Sequence, residues 1–470
     1  MKIIRSIFVQ PVQSSTLLIG PFALSLNLIA FFQPWWLPNG LHFYDYQRWV
    51  EAFALTLSGF AFISIVAFRD ALGKYIWLVA LLTLLACISA SVSSVGWISW
   101  VSTIRLILWS HVMLCIPFVF ARLSKEQFSV LFASVTSALF IYAIYCVVGA
   151  LALIKNGVYS RVFMVSGFAN VNHAAGFLML ASLLMPMLSQ EAGRFSRAFF
   201  FLGTFSASIF VFLLIVIGSR GSWMAGVGAL LSLVAVFRGS ESRRYLAQCI
   251  KYLLLGGIVF LLMQGLTIFQ GIEYATSSKP ITSDSGRLDL YLTAAEGVLE
   301  RPWFGHGLLS FSANSNSLYG HPHNIILSSL YELGVPFTLL AILLLSFLGV
   351  KFIVDRGVIG EDFCSVGGLA VIVAFSVHSQ FSGLSMIPAT LVLFAFGGGL
   401  ALRRLVQSLG CAHDRAGSNV KIAAFSGCSI AYLLMICLYW GGTSENVEQK
   451  TRFWLNGNTS PWLKSYQATE

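Results

Sequence analysis

Long apolar runs follow one another along nearly the whole chain, each separated from the next by a few polar residues. A helix that crosses a lipid bilayer needs about 20 such residues. Hydrophobic residues form 57% of the chain and charged residues only 10%, whereas soluble domains carry about 25% charged residues. The sequence therefore predicts an all-α polytopic integral membrane protein with about 12–13 transmembrane helices. Thirteen candidate spans lie near residues 15–33, 50–68, 75–92, 103–121, 128–153, 171–188, 198–217, 222–237, 251–268, 335–354, 363–382, 387–402 and 422–441.

The basic residues mark one side of this predicted bundle. If the N-terminus is cytoplasmic, 18 of the 29 Lys and Arg residues fall in cytoplasmic segments, and every such connection is short and carries at least two. Cytoplasmic loops of membrane proteins show this excess. The net charge of +10 is thus accounted for by topology, and we expect no nucleic-acid partner.

One predicted outer connection, residues 269–320, is far longer than any other and is rich in Ser and Asn. Loops beyond about 15 residues are usually functional or disordered. In the middle of this loop the apolar residues recur with helical spacing instead, and the helical pattern ends at Arg301-Pro302. The pattern predicts an amphipathic helix at the outer membrane interface. The apolar residues that set its spacing are Leu288, Tyr291, Leu292, Ala295, Val298 and Leu299.

Three polar sites on the predicted outer side could carry chemistry. They are Arg220 in a Ser-Arg-Gly-Ser turn, Arg287 at the start of the loop helix, and the segment His321-Pro322-His323-Asn324. Each has a simpler interpretation. Arg220 could be an interface anchor, Arg287 could pair with Asp284, and a histidine near a membrane can be a hydrogen-bonded core residue.

Metal and cofactor signals are missing from the sequence. The eight cysteines show no CxxC or Cys/His spacing, so neither a metal cluster nor a disulfide framework is predicted. The predicted outer segments contain no DxD motif and no carboxylate cluster. We therefore expect no cofactor and no metal requirement.

The sequence around His323 resembles the signature of the bacterial O-antigen ligase and polymerase superfamily. That signature is His323-Asn324, then Ser328, then Glu332-Leu333-Gly334. Four further blocks are similar to family blocks and occur in the family's order. They are Gly167-Phe168-Ala169-Asn170-Val171-Asn172-His173-Ala174-Ala175, then Ser219-Arg220-Gly221, then Gly286-Arg287 with Ala294 and Pro302-Trp303-Phe304-Gly305-His306-Gly307, and His378-Ser379 before Pro388.

The resemblance divides the chain into three parts. Residues 1–160 are expected to form N-terminal transmembrane helices. Residues 161–402, which include the loop 269–320, form the family-like catalytic region. Residues 403–470 contain an extra span and a tail.

The resemblance implies a metal-independent enzyme of the bacterial inner membrane whose active site faces the periplasm. Such enzymes transfer a glycan en bloc from undecaprenyl pyrophosphate to an acceptor hydroxyl. A ligase uses lipid A-core as the acceptor, and this is the favoured interpretation. An O-antigen or exopolysaccharide polymerase uses another glycan, and a protein O-oligosaccharyltransferase uses a side chain. The motifs do not separate these three reactions.

The chemistry of the residues suits that reaction. Arginine binds phosphate oxygens in bidentate fashion and keeps its charge, so Arg220 and Arg287 could stabilise a leaving pyrophosphate. The acceptor hydroxyl needs a base with a pKa near ambient pH, which suits His323. His321 is the alternative base if the register differs by two residues.

Four more residues have expected roles at the site. Asn324 could orient the base or a sugar, and Glu332 could hold a helix that re-enters the membrane. Asn172 and His173 could line the donor cavity, although a packed histidine is the simpler interpretation of His173.

A polysaccharide transporter or lipid-linked glycan flippase is the rival of a different class. A transport path should place ionisable residues near the middle of the membrane. The predicted spans are nearly free of them at their centres, which disfavours transport.

Overall fold

The computed structural model describes residues 76–157, 171–272, 287–314 and 321–408, together with the single residues 51, 55, 164, 165 and 168. Within these ranges the regular elements are all helical. They are α1 (Ile76–Ser91), α2 (Trp97–Arg122), α3 (Lys125–Lys155), α4 (Val171–Phe195), α5 (Arg197–Ile217), α6 (Arg220–Val236), α7 (Ser240–Phe269), α8 (Arg287–Glu300), α9 (Ser310–Asn314), α10 (Ile325–Val354), α11 (Arg356–Gly360), α12 (Phe363–His378), a 3-10 turn (Leu384–Met386) and α13 (Pro388–Ser408).

Seven of these helices are long and apolar enough to cross a membrane: α2, α3, α4, α5, α7, α10 and α13. Helices α1, α6 and α12 are shorter and also apolar. Each of the ten predicted spans between residues 75 and 402 coincides with one of these ten helices, so the prediction of a polytopic all-α membrane protein is confirmed. Apart from Glu51 and Leu55, the predicted spans near 15–33, 50–68 and 422–441 lie outside the described residues.

Local sequence sets where several of these helices begin and end. Helix α3 starts at a capping box, in which Ser124 and Gln127 each accept a hydrogen bond from the other's backbone amide. Helix α5 ends at Gly218, whose φ of 63° is the left-handed conformation that glycine adopts without strain. The chain therefore reverses within two residues, and Ser219 starts α6 directly.

Helix α4 lies at the centre of the bundle, and most of its side chains are buried between α3, α5 and α12. By contrast, α7 and α10 expose apolar side chains such as Leu262 and Leu345, which are 69% and 65% exposed. Such exposure is costly in water but suits lipid. Small residues allow close helix packing, as where Gly368 of α12 lies against the backbone of Gly397 in α13.

The two ends of the bundle differ in charge. One end, here called the basic end, carries the connections α2–α3, α4–α5 and α6–α7, each with two or more Lys or Arg residues. There Asp362 forms ion pairs with Arg403 and Arg404 at 3.2 and 3.4 Å. The other end, here called the site end, carries the starts of α4, α6, α8 and α10 and the end of α12. The functional candidates gather at the site end.

Within the described part of the chain, the ion pair between Arg105 and Glu51 lies inside the bundle rather than at an end. Arg105, two turns into α2, donates to the carboxylate of Glu51 at 2.9 Å, and Trp109 donates to the same oxygen. Because Glu51 is 1% exposed and its charge is matched, this pair serves packing between helices. It gives no support to a line of ionisable groups along a transport path.

The predicted loop helix is present as α8, ending one residue before Arg301. The face that α8 packs against the protein is not the apolar face predicted from its sequence. The predicted apolar face remains largely uncovered, since Leu288, Leu292 and Leu299 are 58%, 55% and 82% exposed. The buried face consists of Leu290, Ala294 and Gly297 instead, packed with Phe311 against Tyr331 of α10. Helix α8 is thus attached to the protein on one side and presents leucines on the other.

Candidate active site

Helix α10 is broken two and a half turns after it begins. Gly334 has a φ of 85° and a ψ of 171°, which no helical residue adopts, and Pro336 follows. The segment after α8 lies against the break. His306 and Gly307 donate backbone hydrogen bonds to the carbonyls of Tyr331 and Glu332, both at 2.9 Å. The freed backbone groups are thereby satisfied, and a short first part of α10 is held apart from the long apolar remainder.

The Glu332 side chain fastens this arrangement. It is 2% exposed and accepts hydrogen bonds from the backbone amides of Leu309, at 3.1 Å, and Phe311. Its own carbonyl also accepts from the hydroxyl of Ser89 in α1 at 2.7 Å. This placement supports the role, expected from the sequence, of holding the re-entrant part of the helix.

Asn324 is the N-cap of α10. Its Oδ1 accepts hydrogen bonds from the amides of Ile326 and Leu327, both at 3.0 Å. Its Nδ2 donates to the Gln380 carbonyl at 3.4 Å, and the Ile325 amide donates to the Ser379 carbonyl at 3.0 Å. The start of α10 is therefore tied to the end of α12, directly after His323.

His323 has the left-handed backbone conformation, with a φ of 55°. A residue with a Cβ adopts it at a cost, and such residues concentrate at functional sites. Its backbone amide donates to Nδ1 of His321 at 3.1 Å. Because Nδ1 accepts, a neutral His321 carries its proton on Nε2. The two rings lie with centroids 4.2 Å apart and planes at 70°.

Two further histidines complete a cluster at the site end. The ring of His173, in the first turn of α4, stacks on His321 with centroids 6.5 Å apart and planes at 26°. His378, the last residue of α12, interacts electrostatically with His173. His173, His321 and His378 are buried, and His323 is partly exposed. The histidine cluster (His173, His321, His323, His378) thus joins α4, the 321–324 segment and α12.

The histidines that precede α10 are held neutral. Burial, and to a smaller extent the nearby charge of Arg287, together lower the pKa of His323 to about 4. Burial also lowers the pKa of His321 well below its usual range, helped by His323 and His173. The pKa of His323 is thus below the near-neutral value expected from the sequence. At neutral pH both rings are unprotonated, which is the state that a general base requires.

The two predicted arginines flank this cluster from different helices. Arg287 opens α8 and acts electrostatically on both His323 and His378. Arg220 opens α6 and is exposed, between the buried hydroxyls of Ser219 and Ser222. The geometry therefore places one guanidinium beside the histidines and a second in the turn that begins α6.

Asn172 connects the start of α4 with the start of α6. Its Oδ1 accepts a hydrogen bond from Ser219 at 3.3 Å, and Ser222 lies 3.2 Å from Nε2 of His378. His378 belongs to a family-like block of the sequence, but no role was predicted for it from the sequence. Its position at the end of α12, beside the Ser219–Ser222 turn, becomes evident only from the contacts between α4, α6 and α12.

The histidine rings pack against one another, His321 against both His173 and His323. Over the ranges that the structure describes, no group of three or more His, Cys, Asp or Glu residues is arranged to hold a metal ion. What the site does offer is neutral imidazole beside guanidinium, at one end of an apolar bundle.

These features define a multi-pass membrane protein with a polar, histidine- and arginine-lined site at one end of its helices. A family model described as O-antigen ligase matches residues 205–345, from the middle of α5 into α10. The match includes Arg220, Arg287, His321, His323, Asn324 and Glu332, and it supports the resemblance to the O-antigen ligase and polymerase superfamily. None of the curated proteins compared with the chain matches it.

Proposed function

We propose that this protein transfers a glycan en bloc from undecaprenyl pyrophosphate to an acceptor hydroxyl at the periplasmic face of the bacterial inner membrane. The favoured acceptor is lipid A-core, which makes the protein an O-antigen ligase. The observation that carries the proposal is the neutral His323 beside the cationic Arg287. A proton acceptor and a phosphate-binding group are the two functions that this transfer needs.

In the proposed step, the acceptor hydroxyl oxygen attacks the anomeric carbon of the first sugar of the donor. His323 takes the proton of that hydroxyl as the new glycosidic bond forms. The bond between the anomeric carbon and the pyrophosphate oxygen breaks, and its electron pair leaves with undecaprenyl pyrophosphate. No oxidant or reductant is needed.

The arginines stabilise the leaving group. Charge that develops on a phosphate at a membrane surface is poorly solvated, so fixed positive groups lower the barrier there. Arg287 and Arg220 present planar forks that bind two phosphate oxygens each. Arg287 serves the reaction twice, because its charge also keeps His323 unprotonated and ready to accept a proton.

The apolar surroundings suit a lipid-linked donor. The exposed leucines of α8 and the exposed faces of α7 and α10 lie in contact with lipid in this proposal, so the donor's polyprenyl chain can remain in the bilayer. The basic end faces the cytoplasm by the positive-inside rule. The site end then faces the periplasm, where finished lipid-linked glycans meet their acceptors.

Reconstitution with defined substrates tests the proposal. The purified protein, in detergent or liposomes, is given an undecaprenyl-pyrophosphate-linked glycan together with lipid A-core. We expect glycosylated lipid A-core and free undecaprenyl pyrophosphate in equal amounts. Parallel reactions supply only the lipid-linked glycan, or a protein acceptor. Chain growth would identify a polymerase and protein modification an oligosaccharyltransferase. No transfer to any acceptor would overturn the proposal.

A further inference from the structure

The buried ring of His378 lies against the turn Ser219-Arg220-Gly221-Ser222. Gly221 and Ser222 are next to the ring, and Ser219 is linked to it through Ser222. The ring is 2% exposed and lies between two glycines. A Cβ on Gly221 would stand 3.2 Å from its Cδ2 and 3.3 Å from its Nε2. A Cβ on Gly176 of α4 would stand 2.8 Å from its Cε1 and its Nδ1. Helices α4, α6 and α12 therefore approach closely only because both glycines leave room for the imidazole.

The hydrogen bonds around this ring run in one direction. Ser222 donates to Ser219 Oγ at 3.2 Å, and Ser219 donates to Asn172 Oδ1 at 3.3 Å. A hydroxyl has one proton to donate. Since Ser222 uses its proton on Ser219, the 3.2 Å contact between Ser222 Oγ and His378 Nε2 requires the histidine to donate.

This assigns the tautomer of His378. Nε2 carries the proton, and Nδ1 is left as a bare lone pair. Nδ1 is buried and has no hydrogen-bond partner among the residues that the structure describes, and it faces Gly176. The ring is thus enclosed by helix contacts, and its one proton is committed to Ser222. A group in that state is suited to holding a structure rather than to exchanging protons with a substrate.

We propose that His378 is a positioning residue, which fixes the first turn of α6 and thereby places Arg220 for the donor pyrophosphate. Ser222 takes the hydrogen bond of His378, Gly221 accommodates its ring, and Ser219 extends the connection to Asn172. The inference rests on the proposed function of the same site, and it assigns to the serines and the glycine of the turn a shared purpose. Misplacement of a binding group by about 1 Å can reduce a rate about 100-fold.

Substitutions at His378 separate positioning from proton transfer. His378→Gln retains a side-chain N–H that can reach Ser222, whereas His378→Leu does not. We expect His378→Leu to lower kcat by about 10- to 100-fold, and His378→Gln to recover most of that loss. The acid limb of the pH–rate profile should be the same in both variants and in the wild type, because His378 transfers no proton to or from the substrate in this proposal.

The serine partner provides a second, independent variant. Ser222→Ala should reproduce part of the His378→Leu defect. The double variant should be no worse than His378→Leu alone, because each single substitution removes the same hydrogen bond between Ser222 and His378. Ser232→Ala is the matched control. Ser232 lies on the same helix, and among the described residues its hydroxyl donates to the Gly228 carbonyl of its own turn, at 2.8 Å, so we expect wild-type activity.

A binding measurement keeps the test independent of turnover. Inorganic pyrophosphate should raise the thermal unfolding temperature of wild type and His378→Gln, and raise that of His378→Leu much less. Stabilisation of His378→Leu equal to that of the wild type would overturn the inference, as would a His378→Gln variant as inactive as His378→Leu. Failure of the proposed function would differ, because the wild type itself would then transfer no glycan.

Discussion

The positive charge of Arg287, at the first residue of α8, acts directly on the imidazole of His323, one residue before the cap of α10. The two residues are 36 positions apart in sequence. They meet because α8 packs its Leu290–Ala294–Gly297 face against Tyr331, in the first part of α10. The contact between these helices therefore sets both the charge state of the proposed base and the position of the proposed phosphate-binding group.

The acid limb of the pH–rate profile should report this relationship. His323 acts as a base only when neutral, so kcat/KM should be constant at neutral pH and fall as pH drops through a pKa of about 4. Arg287→Ala removes a charge that lowers this pKa, so the limb should move to higher pH, towards 6.5, although burial still opposes a full return. The measurement is kcat/KM between about pH 4 and 8. An acid limb that does not move in Arg287→Ala would contradict the coupling.

Removal of the proposed base should cost far more than removal of its neighbour. His323→Ala should lower transfer by about 10²- to 10⁴-fold and leave donor binding largely unchanged. His321→Ala should cost less, because His321 acts through the hydrogen bond from the His323 amide. Both variants are compared at equal amounts in the reconstituted assay. A His323→Ala variant that builds glycan at the wild-type rate would remove His323 from the reaction.

Lysine substitutions distinguish shaped charge from charge alone. Arg287→Lys keeps the charge but loses the planar fork and one hydrogen bond. Each charge-assisted bond is worth about 1.5–3 kcal/mol, so the rate should fall by about 10- to 100-fold, and Arg220→Lys should behave likewise. Arg301→Lys is the matched control, since Arg301 is exposed after the other end of α8 and donates to the Val92 carbonyl. An Arg287→Lys variant as active as Arg301→Lys would exclude the pyrophosphate clamp.

Loss of the Glu332 carboxylate should loosen the break in α10. Glu332→Ala leaves the buried amides of Leu309 and Phe311 without their acceptor, which should cost about 1–3 kcal/mol of stability. Glu332→Gln keeps one acceptor oxygen and should cost less. Thermal unfolding in detergent measures both, with Glu296→Ala on the exposed face of α8 as the control. Equal stability of Glu332→Ala and the control would remove Glu332 from this role.

Topology can be tested with single cysteines in a cysteine-free background. Glu296→Cys, at the site end, should react with a membrane-impermeant maleimide added to cells with a permeabilised outer membrane. Ser240→Cys, exposed at the basic end, should react only after lysis. Labelling of Ser240→Cys alone in unlysed cells would invert the orientation and remove the periplasmic site.

The sequence predicted the helices well, because their causes are local. Hydrophobic length identified the ten described membrane helices, and the periodicity after residue 287 identified α8. The length criterion did not show that α10 begins ten residues before its predicted span. The backbone carbonyls at the end of that first part accept hydrogen bonds from the amides of residues 306 and 307. No local sequence pattern predicts this contact between two segments.

For the functional residues too, the sequence predicted one part and the tertiary structure decided the other. Arginine and histidine at the polar turns, and the resemblance to the family, were available from residue types and their order along the chain. Their arrangement was decided by tertiary structure. Both faces of α8 are apolar, so only its packing on Tyr331 determined which leucines stay exposed. His378 lies in an apolar segment, and it became part of the site only because Gly176 and Gly221 let three helices close around its ring. Membrane span length and helix caps depend on neighbouring residues, whereas the burial and charge state of a side chain depend on distant segments that folding brings together.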